Sequence, residues 1–228
     1  MKAVILAAGK GTRMLPLTEI LPKVLVEVNG KPFLYYVIKN LEKAGFTELG
    51  IVVGYMKEKI SAFLNENNIE ATLIEQNEQL GTGDAVKQAK GFCGNENFIV
   101  LGGDNLFSIE DLQIIKNNDD SCYVVGKKIE DPSKYGVLVV ENDRLLKIIE
   151  KPKTFVGDMI NLGLYKFTPE IWLALDKVRL SERGEYELTD ALTILAKERK
   201  VKVKSMKGYW LDLGCKEDIP KIERYLNQ

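Results

Sequence analysis

The chain has 228 residues, of which 45% are hydrophobic and 29% charged, with a formal net charge of −1. That length can bury a substantial core, and the near-neutral balance gives no global electrostatic footprint for nucleic acid or an acidic membrane. With no histidine at all, Ser–His–Asp triads, imidazole proton shuttles, histidyl-nucleotide intermediates and His-ligated zinc are excluded; any metal is expected on carboxylate oxygens, and Mg²⁺ is the natural candidate.

The first half alternates strand and helix signals. Ala3–Ala8 reads as a buried strand that runs into Gly9-Lys10-Gly11. Pro32 suits the first turn of a helix whose apolar positions Phe33, Leu34, Val37, Ile38, Leu41 and Ala44 keep helical spacing, with Gly45 as its stop. Leu49–Val53 reads as a strand, Lys57–Asn65 as a helix, Ala71–Glu75 as a strand and Gly83–Lys90 as a helix stopped at Gly91. Phe98–Leu101 is a fourth strand, ending in Gly102-Gly103-Asp104-Asn105. This alternation predicts a mostly parallel sheet covered on both faces.

The second half changes rhythm. Gly136–Glu141 and Leu145–Glu150 flank the turn pair Asn142-Asp143, a hairpin signal. Met159–Phe167 reads as a strand, Thr189–Lys197 as a helix, Val201–Met206 and Tyr209–Leu213 as strands, and Glu217–Leu226 as a closing helix. No linker, repeat or low-complexity stretch interrupts the chain, so a single domain over 1–228 is expected. No apolar run approaches the roughly 20 residues that span a bilayer, and the N-terminal strand is too interrupted for a signal peptide. Cys93, Cys122 and Cys215 lack CxxC spacing and read as free thiols of a cytoplasmic protein.

Four constellations carry chemistry. After the first strand, Gly9 and Gly11 let main-chain N–H groups approach an anion, and Arg13, right behind Thr12, and Lys23 in the downstream Pro22-Lys23 are cations for which that anion is the counter-charge. Met14 excludes the dinucleotide fingerprint GxGxxG, and the spacing excludes a Walker A loop. Gln76 offers both a donor and an acceptor to the edge of a pyrimidine, with Gly81 and Thr82 close behind; taken alone, Gly81-Thr82 is equally a turn and a helix cap. Asp104 lies at the carboxyl end of a central strand and offers the hard oxygen Mg²⁺ prefers, with Asp212 in Trp210-Leu211-Asp212-Leu213-Gly214 as the expected partner. Glu150 and Lys151 could bind sugar hydroxyls and a phosphate, with Gly136 and Asn161 adding a main-chain group and an amide; alone, Glu150-Lys151 is an ordinary exposed pair.

Leu6 through Thr18, followed by Pro22-Lys23, resembles the signature of the sugar-1-phosphate nucleotidylyltransferases, and matching segments continue to about Gly214. The resemblance implies a Rossmann-like α/β fold of the nucleotide-diphospho-sugar transferase type, a mostly parallel, mixed sheet flanked by helices with a hairpin-rich sugar-binding part. It implies that 1–110 mainly bind nucleotide and 111–228 mainly bind the sugar phosphate. Leu6, Ala8, Gly9, Gly11, Thr12, Arg13, Gln76, Gly81 and Thr82 then hold the nucleotide. Asn105, Gly136, Glu150, Lys151 and Asn161 hold the sugar phosphate, and Asp104 and Asp212 the Mg²⁺. Arg13 is expected to neutralise the leaving pyrophosphate, Lys23 the α-phosphate and Lys151 the attacking phosphate.

The string Leu80-Gly81-Thr82-Gly83-Asp84-Ala85 is most similar to uridylyltransferases, and Asn105 to glucose-type members. UTP or dTTP and a hexose-1-phosphate, foremost glucose-1-phosphate, are therefore the expected substrates. A mannose-1-phosphate guanylyltransferase and an N-acetylhexosamine-1-phosphate uridylyltransferase are the enzymatic alternatives. A choline-phosphate cytidylyltransferase would have aromatics in place of Glu150 and Asn161, and a non-catalytic sugar-nucleotide sensor would have lost Arg13, Lys23 or an aspartate. The left-handed β-helix that brings acetyltransferase activity in some relatives is not expected in these residues. Neither are the extra C-terminal helices that make tetramer contacts in others, although a homo-oligomer remains compatible with the resemblance.

Overall fold

A computed structural model describes residues 1–117 and 119–228. In the first half, strands β1 (Lys2–Ala7), β4 (Leu49–Val53), β5 (Thr72–Glu75) and β6 (Phe98–Gly102) alternate with helices α1 (Phe33–Lys43), α2 (Lys57–Glu66), α3 (Thr82–Gln88) and the short α4 (Lys90–Cys93). A two-residue hairpin, β2 (Glu27–Val28) and β3 (Lys31–Pro32), precedes α1. Strand β7 (Asn105–Phe107) and helix α5 (Ile109–Ile115) lead into β8 (Cys122–Lys128), β9 (Gly136–Glu141), β10 (Arg144–Glu150) and β11 (Met159–Phe167). Helices α6 (Glu170–Leu175) and α7 (Leu188–Lys197), strands β12 (Val201–Ser205) and β13 (Trp210–Asp212), and helix α8 (Ile219–Leu226) complete the order.

Among the described residues nine strands form one mixed sheet in the order β5-β4-β1-β6-β11-β8-β12-β10-β9. The first four pair in parallel, as the alternating pattern predicts. Beyond β6 the pairing is antiparallel except where β12 joins β8. An extra pairing of β11 with β9, Ile160 opposite Val137, turns the second half of the sheet back on itself.

Strand β1 shows why such a strand must be apolar throughout. Ala3, Ile5 and Ala7 enter the core beneath α1, while Val4 enters the core on the opposite face, beneath α3, α6 and α7. On that second face Phe98 stacks on Trp172 at 5.1 Å between ring centroids, and Trp172 Nε1 donates to the Gly94 carbonyl at 3.1 Å.

Some local expectations need correction. Pro32 is the N-cap of α1 and not part of its first turn. Gly91 does not stop a helix: α4 passes through it, and the left-handed residue that ends the segment is Gly94, at φ 59°. Strands β7 and β8 and helices α5 and α6 have no counterpart in the sequence reading.

Candidate active site

A cleft of about 620 Å³ opens at the carboxyl ends of β1, β5 and β6, where an open parallel sheet places ligands. Its lining includes Leu6, Ala8, Gly9, Gly11, Thr12 and Arg13 from the opening loop, Gln76, Gly81 and Thr82 from the segment after β5, and Lys23, Asp104 and Asn105. Sequence segments far apart in the chain thus meet at one end of the sheet.

The opening loop is shaped by contacts within itself. Gly11 has φ +63°, and a Cβ there would lie 2.7 Å from Lys23 Cβ, so neither the backbone angle nor the space admits a side chain. Its carbonyl accepts from Met14 N and from Thr18 Oγ1, both at 2.9 Å. Arg13 remains exposed, whereas Lys23 is buried and donates Nζ to Asp104 Oδ2 at 2.6 Å.

Asp104 and Asp212 come from distant segments joined by a two-stranded ribbon. Strands β7 and β13 pair antiparallel with Asp212 opposite Asn105, and Leu213 N donates to the Asp104 carbonyl at 2.9 Å. Asn105 is held at both ends: Trp210 Nε1 donates to its Oδ1 at 2.7 Å, and its Nδ2 donates to Asp104 Oδ1 at 2.7 Å. Burial and then the Asp104 charge raise the Asp212 carboxyl to about 6, with Asp218 adding to the rise and Lys23 and Arg13 opposing it. Asp218 Oδ2 accepts from Gly214 N at 3.1 Å and Cys215 N at 2.9 Å, fixing the turn after β13. The Cys215 thiol also donates to Asp218, and hydrogen bonds to the Glu217 and then the Asp218 carboxylates, with burial adding to them, push it up from the ordinary thiol range.

Gln76 is 5% exposed, and its Nε2 donates to Asp84 Oδ2 at 2.8 Å and to the Gly81 carbonyl at 3.1 Å. The second half of the chain braces this segment. Gly83 N donates to Tyr186 O and Tyr186 N to Leu80 O, both at 2.7 Å, and Leu188 N donates to Thr82 Oγ1 at 3.2 Å. Gly81, with φ +100°, is the N-cap of α3, and Thr82 is inside the helix.

The remaining predicted residues form a neighbouring group. Glu150 pairs with Gly136 across β10 and β9, and a Cβ on Gly136 would lie 2.9 Å from Glu150 Oε2 and 3.8 Å from Asn161 Cβ. Asn161 Nδ2 donates to Tyr165 OH at 2.7 Å, and Tyr165 lines the cleft. Lys151 has φ 42°, and its Nζ lies 3.9 Å from Glu150 Oε1, both side chains being more than half exposed. Gly136, Glu150, Lys151, Asn161 and Asp212 are outside the cleft lining itself. Sequence reasoning missed Gln79, whose Nε2 ties the loop after β5 to the Ala8 carbonyl at 2.8 Å, and gave no role to Trp210, Tyr165 or Asp218. The tryptophan in the WLDLG string was the only available signal for any of these.

Residues 2–228 match the nucleotidyl transferase family. The chain belongs to that family. The "Bifunctional protein GlmU" of Methanocaldococcus jannaschii is 39% identical over 228 residues, which cover 99% of this chain and 54% of the relative. The "Bifunctional sugar-1-phosphate nucleotidylyltransferase/acetyltransferase" of Sulfurisphaera tokodaii is 38% identical over 229 residues, covering 99% and 55%. This nucleotidyl transferase chain therefore spans about half the length of the curated relatives it matches. Among solved structures, a UDP-glucose pyrophosphorylase complexed with UDP-glucose superposes with a TM-score of 0.88 at 25% identity, covering 99% of this chain and 98% of that one. The resemblance read from the opening motif and the expected fold are thus both met. Members of the family generally use a divalent metal. Among the described residues no helix is long and apolar enough to cross a membrane.

Proposed function

We propose that this chain transfers a nucleotidyl group from UTP or dTTP to a hexose-1-phosphate, foremost glucose-1-phosphate, and releases pyrophosphate. The observation that carries the reading is the meeting, in one cleft, of the cation-bearing opening loop with Asp104 and Asn105, against which the β7–β13 ribbon sets Asp212. The sheet order supports a nucleotide lying across the strand ends. Gln76 follows β5 and Asp104 follows β6, three strand spacings away, or about 14 Å. On this reading 1–110 mainly bind nucleotide, and 111–228 mainly bind the sugar phosphate.

The donor set fits Mg²⁺. The Asp104 charge opposes ionisation of Asp212, so the pair lacks positive charge, and Lys23 supplies only part of it. Among the described residues no cluster of three or more His, Cys, Asp or Glu is placed to hold a metal. Mg²⁺ is commonly bound by one or two carboxylates plus waters and substrate phosphates, which Asp104 and Asp212 satisfy. Once bound, the ion would neutralise phosphate charge.

The acceptor's phosphate oxygen attacks the α-phosphorus, a new P–O bond forms, and the bond to the β-phosphate oxygen breaks, so pyrophosphate leaves with the electron pair. The attacking oxygen is already anionic near neutral pH, so no side chain need remove a proton. Positioning and charge neutralisation are what the protein must supply. Leu6, Ala8, Gly9, Gly11 and Thr12 cradle the nucleotide, Arg13 faces the leaving pyrophosphate and Lys23 the α-phosphate. Gln76, Gly81 and Thr82 hold the base end. Gly136, Glu150, Asn161 and Asn105 flank the sugar, and Lys151 meets its phosphate; the left-handed backbone of Lys151 is the kind of local strain that gathers at such sites.

A second acceptor, an N-acetylhexosamine-1-phosphate, is favoured by one specific finding. The S. tokodaii relative is named for an acetyltransferase as well as a nucleotidylyltransferase activity. Pyrophosphate release from UTP, dTTP, CTP, ATP and GTP, each with glucose-, N-acetylglucosamine- and mannose-1-phosphate, separates these readings. Turnover with UTP or dTTP and a glucose-configured acceptor is expected; turnover confined to GTP and mannose-1-phosphate, or none with any pair, overturns the proposal.

A further inference from the structure

The base end of the cleft holds an amide whose orientation is chemically forced. The Gln76 amide nitrogen lies within hydrogen-bond distance of two oxygens, Asp84 Oδ2 at 2.8 Å and the Gly81 carbonyl at 3.1 Å. A carbonyl can only accept, as can an ionised carboxylate, so only the NH₂ end of Gln76 fits between them. Asp84 is itself anchored from the other side, because Gln88 Nε2 donates to its Oδ1 at 3.0 Å. Among the described residues no buried side-chain nitrogen or oxygen lacks a partner. Oε1 of Gln76 has no donor among them, so it keeps its access to the cleft that Gln76 lines.

We propose that Asp84, which does not line the cleft, is a positioning residue that sets the base preference: by holding Nε2 of Gln76 it leaves Oε1, an acceptor only, to face the base. Uracil and thymine carry a donor N3–H on their Watson–Crick edge and satisfy that oxygen. Cytosine N3 and adenine N1 are acceptors and would set lone pair against lone pair. A freely turning glutamine would accommodate either polarity. The carboxylate at position 84 removes that freedom, and its own hydrogen bond to Gln88 keeps it from turning away. This inference rests on the nucleotidyl-transfer reading and narrows it from nucleotides in general to those with an imide N–H at the recognised edge.

The test compares wild type, Asp84→Ala and Asp84→Asn with UTP and CTP, by equilibrium binding and by pyrophosphate release. Wild type is expected to favour UTP. Asp84→Ala leaves the Gly81 carbonyl as the only restraint on the amide, and the UTP-to-CTP ratio of kcat/KM is expected to fall by about tenfold, the scale of one mismatched buried hydrogen bond. Asp84→Asn still offers Nε2 a carbonyl acceptor and is expected to hold the ratio within about twofold of wild type. A purely structural role for Asp84 would depress both nucleotides by the same factor, and that result overturns the inference, as does a wild-type preference for CTP. If no nucleotide is turned over, the functional reading fails by itself. The inference then stands or falls on whether the binding preference for UTP exists and weakens in Asp84→Ala. Should Asp84→Ala not fold, Asp84→Ser suits the first helical turn, is too short to reach Nε2, and gives the same comparison.

Discussion

Two charged residues with opposite relations to burial define what the site costs and what the scaffold gains. Asp212 is held partly buried beside Asp104, which raises its carboxyl to about 6. The folded chain therefore binds this proton more tightly than the unfolded chain, whose aspartates titrate near pH 3.9. Stability from this group is complete below that lower value and is lost as pH rises through about 6. In EDTA, Asp212→Asn should unfold at the same urea concentration as wild type near pH 4 but be more stable by about 1–3 kcal/mol at pH 7.5, while turnover collapses. Equal stability at both pH values would show that the carboxylate carries no penalty. Lys166 is the converse case. It is fully buried, and its Nζ donates to Asp119 Oδ1 and the Ser121 carbonyl, both at 2.9 Å, and also to the Asp119 carbonyl. Lys166→Ala should lose about 2–4 kcal/mol in urea unfolding, because three acceptors forfeit their donor. Arg13→Ala, exposed in the cleft and outside the core, should keep its unfolding midpoint while kcat falls by orders of magnitude; near-wild-type kcat would remove it from the reaction.

At the scale of elements, the β7–β13 ribbon does most to assemble the carboxylate pair; its second strand was legible as Tyr209–Leu213, but β7 and the pairing of the two were not. Strand β7 has three residues, too few for alternation to register, and its partner lies far along the chain. Helices α5 and α6, at seven and six residues, complete less than two turns. Strand β8 has a short apolar run closed by two lysines, and its partners come from β11 and β12. By contrast β1, β4 and β6 are apolar on both faces, and α1 has an unbroken stripe, so their positions could be read directly. The opening loop was legible for another reason: the backbone angle and the close approach of Lys23 require glycine at position 11, and a glycine spaced behind Gly9 at the end of an apolar strand is a readable letter. The orientation of Gln76 was not legible, because sequence gives a residue's chemistry but not which end of an amide is already engaged. Within the ribbon, Trp210→Phe keeps the ring against Tyr135 but removes the donor that fixes Asn105. The released amide no longer has to present Nδ2 to Asp104, and kcat should drop about 10- to 100-fold with KM for the nucleotide little changed. A variant with wild-type kcat would mean that Asn105 needs no anchor.

For the whole molecule, the sheet joins two regimes at β6 and β11, parallel on one side and mainly antiparallel on the other. The cleft draws on both, since Tyr165, Leu188 and Thr189 line it together with the opening loop. In the parallel half β1 pairs with β4 and β4 with β5, the next strands of the sheet along the chain, while β1 also closes on β6 across two intervening strand–helix units. The pairing of Asp212 opposite Asn105 requires a segment near the end of the chain to return to one near its middle. Long-range pairings of this kind are slow to form, because loop closure must precede any gain from contact. Recovery of secondary structure after dilution from urea should therefore run ahead of recovery of turnover, and simultaneous recovery would count against a late ribbon. A nascent chain in which only the first two hundred residues have emerged has made most of the sheet but not the strand that carries Asp212, so it would hold half of the carboxylate pair and stay inert toward nucleotides until that strand follows.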